Sequence, residues 1–310
     1  MKINSTNNQL ISVRNFLNGD RKLNFLEKIL WLLLNFLNNN TVPKNPNYKK
    51  YEFIKKFSPK YNDKDINSLL IGKSPSRTIG NLFWKKLNWQ LIKRELGEIN
   101  IFDTGCGAGD YGIMINKFSN GIKSYFGIDF YPRKDWNKTM KDNPFIVLKR
   151  SSSSNIRNLI PSNTNLIITQ SAIEHFRYDL QYFHQIKEFI NKTNKNILQI
   201  HLFPSPACLW LYLFHGYRQY NLYNIKKIIK IFEDDKNYCA LFPLGGNKLN
   251  NLHLKFITLP SLFKKKLNLR SQLYNELLKK YLKYEIKNKT NFNPSFYALV
   301  IHSNFRNKVI

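Results

Sequence analysis

The chain has 310 residues, 43% of them hydrophobic, enough to bury one α/β domain with extensions or two small domains. Its three cysteines, Cys106, Cys208 and Cys239, share no metal or disulfide spacing, which excludes a disulfide scaffold and predicts reduced thiols in a cytoplasmic protein. The formal charge of +29 comes from lysine spread along the whole chain with abundant asparagine and isoleucine, the joint product of an AT-rich codon bias, so a solvated surface is favoured over a nucleic-acid footprint.

Met1–Asn8 lacks the apolar stretch of a signal peptide. Trp31–Leu37 and Leu209–Phe214 are far shorter than the ~20 residues of a membrane span, so no transmembrane segment is expected. Residues 1–73 read as a helical extension. In it Leu23, Leu26, Leu30, Leu33 and Leu37 recur at helical spacing, with Phe25, Ile29, Leu32 and Phe36 widening the stripe. Such a stripe covers the core or binds a partner, and the core is the favoured reading. Ser74-Pro-Ser-Arg77 then precedes an aromatic helix from Leu82 to Leu91.

From Ile99 onward strand and helix alternate, which predicts a parallel, doubly wound sheet. Ile99–Phe102 is the first strand, followed by the turn Asp103-Thr-Gly105-Cys-Gly107-Ala-Gly109 and a helix from Tyr111 to Phe118. Later strands are expected at Ser124–Asp129, Phe145–Leu148, Leu166–Thr169, Ile197–Phe203, Tyr238–Phe242 and Phe296–His302, with an amphipathic helix at Asp179–Asn191. Two insertions exceed ordinary connections. Residues 204–220 carry Trp210, Tyr212, Phe214, Tyr217 and Tyr220. Residues 245–293 hold the densest basic stretch, Lys264–Lys283, and a helix marked by Leu273, Leu277 and Tyr281 beside Tyr274, Leu278 and Leu282.

The glycine turn carries the chemistry. Glycines there permit positive φ and let backbone N–H groups approach a ligand, and the helix that follows presents its positive end. Asp129, at the end of the second strand, stands where a carboxylate accepts hydrogen bonds from ribose hydroxyls. Gly107-Ala-Gly109-Asp-Tyr-Gly112 fits the dinucleotide pattern, but Asp103 and Gly105 precede it, where a dinucleotide fold brings the strand straight into the first glycine.

The run Asp103-x-Gly105-x-Gly107-x-Gly109 resembles motif I of class I S-adenosylmethionine-dependent methyltransferases. Leu166–Phe176, with Ser171-Ala-Ile-Glu174-His175, resembles the fourth strand and following turn of that superfamily. The tail His215-Gly-Tyr-Arg218-Gln-Tyr220 is similar to methyltransferases of surface-polysaccharide pathways. The resemblance implies a Rossmann-like, seven-stranded, mostly parallel sheet with helices on both faces and an antiparallel last strand. The helical extension would precede a methyltransferase domain at 74–310. It implies S-adenosylmethionine as cofactor, with Gly105, Gly107 and Gly109 under its methionine moiety, Asp103 at its amino group and Asp129 at its ribose. Ser151 and Ser152 stand where relatives often carry an acid for the adenine amino group, and Gln170 and Ser171 would face the methyl-transfer end.

The acceptor's proton calls for a base, and histidine serves near neutral pH. His175, His201 and His215 are the candidates. Trp210, Tyr217, Arg218 and Tyr220 are expected to bind the acceptor, by stacking and by pairing with a phosphate or carboxylate. Thr169–Ala172 stands where methyltransferases acting on exocyclic amines carry Asn-Pro-Pro-Tyr or Asp-Pro-Pro-Tyr. Glu174 and Asp179 fall short of the clustered acids of a metal-dependent O-methyltransferase, so no metal is expected. The reading is a methyltransferase acting on a small molecule, a saccharide or its nucleotide- or lipid-linked precursor. The alternatives are an RNA methyltransferase using residues 245–293 and a catalytically idle fold serving as a scaffold. The oligomeric state does not follow from the sequence.

Overall fold

Residues 17–41, 53–70, 72–234, 236–287 and 293–310 are described by the computed structural model; the signal-peptide reading of Met1–Asn8 lies outside them. The strands are β1 (Asn100–Thr104), β2 (Ser124–Asp129), β3 (Ile146–Arg150), β4 (Leu166–Gln170), β5 (Ile197–Pro204), β6 (Asn237–Leu244) and β7 (Phe296–Ser303). They form one sheet in the order β3-β2-β1-β4-β5-β7-β6. Pairing is parallel from β3 to β5, whereas β7 runs antiparallel to both β5 and β6. The expected count and the reversed last strand are both observed. The chain winds outward from β1 to β3, then restarts at β4 on the other side of β1. The crevice beyond the carboxyl ends of β1 and β4 is therefore the switch point at which open α/β sheets bind ligands.

Strands β1, β4, β5 and β7 are buried along their whole lengths, as continuous apolar runs require when helices cover both faces. On one face lie α2 (Asp63–Leu70), α3 (Pro75–Lys86), α4 (Trp89–Leu96), α5 (Asp110–Phe118) and α6 (Trp136–Asp142), with side chains such as Ile66, Leu82, Ile92 and Ile115 in the core. The opposite face is covered by α7 (Asp179–Thr193), through Tyr182, Phe183 and Ile186. Insertion 204–220 contains the short α8 (Cys208–Leu211), and α9 (Leu222–Ile231) then returns to the α7 face through Ile225 and Ile228. The second insertion folds as α10 (Asn247–His253), a π turn over Leu254–Thr258, α11 (Leu259–Leu262) and α12 (Gln272–Lys287). Helix α12 buries Tyr274, Leu278 and Leu282 on the α2–α3 side and leaves Leu273 exposed. The single aromatic helix expected from Leu82 to Leu91 is two helices, because Leu87 is extended and the Asn88 side chain caps Leu91 N–H at 3.0 Å.

The N-terminal helix α1 (Phe25–Asn39) overturns one expectation. Its leucine stripe faces outward: Phe25 and Leu26 are 75% and 74% exposed, and Ile29, Leu30, Leu33, Phe36 and Leu37 are exposed as well. The buried face is Trp31, Asn35 and Asn38. Hydrogen bonding explains the inversion. Trp31 Nε1 donates to Gly216 O (3.0 Å), Asn38 Nδ2 to Gln219 O (3.0 Å), and Asn221 Nδ2 to Asn38 O (2.6 Å). These bonds satisfy the carbonyls of Gly216, Gln219 and Asn38, which burial would otherwise strand. Asn24 caps the helix start in a reciprocal box with Glu27.

Candidate active site

At the end of β1 the chain enters the glycine turn with Gly105, Gly107 and Gly109 all at positive φ. The N–H groups of Gly105 and Cys106 donate to Ile128 O at 2.8 and 3.1 Å, tying the turn to β2. A Cβ on Gly105 would stand 2.4 Å from the Ala172 Cβ, so the turn presses directly on the segment after β4. At Gly107 a Cβ would meet nothing within 4 Å, so open space faces the backbone there. Asp129 accepts from Gly107 N–H (2.9 Å) and Tyr131 N–H (3.0 Å), which fixes its carboxylate at the mouth of the turn. Trp136, from α6, donates its indole N–H to Gly107 O at 2.7 Å, a contact the sequence did not signal. Cys106 is buried, and burial pushes its thiol pKa up, so it fills space and is no nucleophile.

Asp103 is fully inside. Its Oδ2 accepts from the Tyr125 hydroxyl, while its Oδ1 has no hydrogen-bond partner. Burial raises its pKa to about 7, against the Tyr125 hydrogen bond, with the nearby Asp129 charge adding to the rise. Ser151 N–H donates to Asp129 O (2.9 Å), and the Ser152 hydroxyl contacts that of Ser154 (2.8 Å). Gln170 Oε1 accepts from Trp84 Nε1 (2.9 Å), and its Nε2 donates to Ser171 Oγ (3.1 Å). Ser171 holds φ +51°, a left-handed backbone at the switch point, and strain of this kind collects at functional sites.

Across β4 stands a second constellation, drawn from three segments. Glu174 and His175 lie on a single 3-10 turn after β4. His215 comes from insertion 204–220, and Asp20 from the N-terminal extension. Asp20 Oδ2 lies 2.7 Å from His175 Nδ1, Asp20 Oδ1 lies 3.3 Å from His215 Nδ1, and Gly216 N–H donates to Asp20 Oδ1 at 3.1 Å. Burial works against the Asp20 charge, but hydrogen bonds from His175, His215 and Gly216 hold its pKa well below the usual carboxylate range. The two imidazoles meet edge to face at 4.6 Å between centroids. Glu174 is buried with Oε2 unpartnered, and burial raises its pKa. Insertion 204–220 lies over this constellation: Tyr217 N–H donates to Glu174 O (2.8 Å), and the Tyr212 ring is 5.8 Å from His215.

The structure therefore keeps His175 and His215 together and removes His201. That side chain is 0% exposed on β5, bonded to Thr169 (3.0 Å) and packed against Phe183, and burial depresses its pKa to about 3. A base must reach the proton it takes, so His201 is a core residue. Arg218 and Tyr220 are likewise structural. Arg218 pairs with Asp179 at 2.8 Å and donates to Phe176 O (2.9 Å) and Arg177 O (3.2 Å), while the Tyr220 hydroxyl donates to Asp179 (2.7 Å). Their polar groups are turned inward to tie the insertion to the β4–α7 connection. Tyr217 is buried beneath the Arg218 guanidinium, and Trp210 is 58% exposed on α8. Sequence reasoning missed Asp20, because nothing local marks it.

No family model matches the chain, and no curated protein does. Among solved structures it is similar to the plantazolicin methyltransferase BamL in complex with a triazolic desmethylPZN analog and SAH, at 15% identity over 74% of this chain and 85% of that one, with a TM-score of 0.46. It is also similar to a SAM-dependent methyltransferase from Archaeoglobus fulgidus (14% identity, 78% and 100% coverage, TM-score 0.44). A third likeness is to a putative sarcosine dimethylglycine methyltransferase from Galdieria sulphuraria (13%, 74% and 87%, 0.44). These likenesses are remote, and the Rossmann-like fold stands on the strand order itself.

Proposed function

We propose that the protein is an S-adenosylmethionine-dependent methyltransferase acting on a small polar acceptor, of the saccharide or saccharide-precursor class. The observation that carries this reading is the unpartnered Oδ1 of buried Asp103, at the start of a turn whose Gly107 faces open space. A buried carboxylate oxygen without a donor is costly unless a ligand supplies one, and the cofactor's α-ammonium does so. Asp129, one strand over, retains lone pairs for ribose hydroxyls, and Trp136 closes the turn from above. The residues present fit the group.

The cofactor brings an electrophilic methyl on a sulfonium. When bound, it would supply that methyl to an acceptor oxygen, with the C–S electron pair kept by sulfur and the hydroxyl proton left for the site to release. What this chain contributes is alignment, exclusion of water and acidity at the acceptor oxygen. Asp20, Glu174, His175 and His215 stand at the acceptor end of the crevice for the last of these. Residues 74–310 then form the catalytic domain, roofed by 204–220, and the 1–73 extension completes it by inserting Asp20. A cytoplasmic setting suits the three unpaired cysteines; among the described residues no helix is long and apolar enough to cross a membrane.

Isothermal titration tests the reading. S-adenosylmethionine and S-adenosylhomocysteine should bind, NAD far more weakly, and Asp129→Ala should cost on the order of 1–3 kcal/mol of cofactor affinity. Equal or tighter binding of NAD would overturn the assignment.

A further inference from the structure

We infer that Glu174, His175 and His215 form a divalent-cation site at the acceptor end of the crevice, with Asp20 as the carboxylate behind both imidazoles. The sequence reading expected no metal, because it weighed only acids near β4 and took His175 and His215 as candidate bases.

Each of the three residues offers one ligand atom, and these atoms lie within 4.8 Å of one another. Ligands on one tetrahedral zinc ion stand about 3.4 Å apart at ~2.0–2.2 Å bonds, so closure asks for up to roughly 1.4 Å of side-chain adjustment. The set is two nitrogens and one oxygen, which suits Zn2+, Co2+, Fe2+ or Mn2+ better than Mg2+ or Ca2+.

A second observation points to a ligand. Glu174 is 1% exposed, its Oε2 has no hydrogen-bond partner, and its Oε1 lies 4.0 Å from His175 Nε2. A cation on this carboxylate compensates its burial. The third is the arrangement behind the histidines. One Asp20 carboxylate faces Nδ1 of both rings, at 2.7 and 3.3 Å, and is itself oriented by Gly216 N–H. A carboxylate on Nδ1 selects the tautomer that leaves Nε2 with its lone pair, as in the outer shell of metal-bound histidines. His175 and His215 keep side-chain exposures of 32% and 42%, so coordination positions stay open to an acceptor. An open site of this kind is catalytic in form.

The site stands on its own geometry, whereas its role rests on the methyltransferase reading. There the cation binds the acceptor hydroxyl and lowers its pKa. The proton passes to water, the oxygen forms the bond to the methyl carbon, and the C–S electron pair stays on sulfur. The site also clips the extension, the β4 turn and insertion 204–220 to one another, so binding is coupled to stability.

The test uses the full-length chain without an added histidine tag, stripped with chelator. Zn2+ and Co2+ are titrated by calorimetry, by thermal unfolding and, for Co2+, by visible absorption. One equivalent should bind, raise Tm and give d–d bands of a four- or five-coordinate ion. His215→Ala and Glu174→Gln should each weaken binding at least tenfold, and Asp20→Asn by 10–100-fold with His175 and His215 intact. His215 is part-exposed, so its variant remains informative where a change at buried Glu174 disturbs folding. Absence of stoichiometric binding, or binding indifferent to His215→Ala, would overturn the proposal. S-adenosylmethionine binding by the metal-free protein separates the two claims: it leaves the methyltransferase reading intact whatever the metal does.

Discussion

On the β1 side of the crevice, one continuous stretch, Asp103–Asp129, supplies both acids, the glycine turn and the helix end. On the β4 side, Asp20 and His175 touch across a sequence separation of 155, and His215 arrives from a third segment. The first side is written locally, because a strand, a turn and a helix fix the placement of Asp103, Gly107 and Asp129 with little help. The second exists only once the extension and the insertion have folded onto the sheet. The two sides should therefore fail differently: damage to the turn abolishes cofactor binding, whereas damage to the acceptor side spares it.

The sharpest division is expected at Arg218. Removing its guanidinium leaves Asp179 charged in the interior, so Arg218→Ala should cost about 3–5 kcal/mol in denaturant unfolding. A stable Arg218→Ala protein with impaired acceptor binding would return this residue to the substrate. On the other side, Gly105→Val adds a Cβ 2.4 Å from the Ala172 Cβ at φ +80°. Overpacking and backbone strain together should cost about 3 kcal/mol and abolish cofactor binding, read by unfolding and titration calorimetry.

Asp103 gives the comparison a pH dependence. Its pKa in the folded, ligand-free protein is raised to about 7, above the value of an unfolded aspartate. The stability it contributes is complete below the unfolded pKa and is lost as pH rises through about 7. The ligand-free protein should therefore lose stability across that window, while affinity for the ammonium-bearing cofactor should rise across it. Asp103→Asn should flatten both trends and cost on the order of 2 kcal/mol of cofactor affinity above pH 7. A pH profile unchanged by Asp103→Asn would mean that this carboxyl does not meet the ligand.

The smallest effect is expected far from both sides. Charge-neutralising changes at Lys264, Lys265, Lys266 and Arg270 should leave cofactor affinity and methyl transfer unaltered, and RNA binding should be loose and steeply salt-dependent. Tight binding of one defined RNA at physiological salt, lost in that variant, would make the basic insertion the acceptor surface.

The same division explains what was legible in the sequence. All seven strands fell within a few residues of their expected places, because each is an apolar run bounded by turn residues, and Asp103 and Asp129 followed from strand ends. His201 was misjudged because it lies inside β5, a strand paired on both edges and buried along its whole length. Arg218 and Tyr220 were misjudged because their partner, Asp179, lies at the start of α7, where sequence spacing shows no pairing. The α1 stripe pointed the wrong way because asparagine-to-carbonyl hydrogen bonds, invisible to hydrophobic periodicity, dock that helix by its polar face. Asp20 carries no local pattern at all.

The most direct measurement is a crystal structure of the full chain with S-adenosylhomocysteine. The account predicts its amino group within hydrogen-bond distance of Asp103 Oδ1, its ribose hydroxyls on Asp129, and its sulfur aimed across Ser171 toward His175 and His215. Ligand density anywhere other than the β1–β4 crevice, or a ribose with no contact to Asp129, would contradict it.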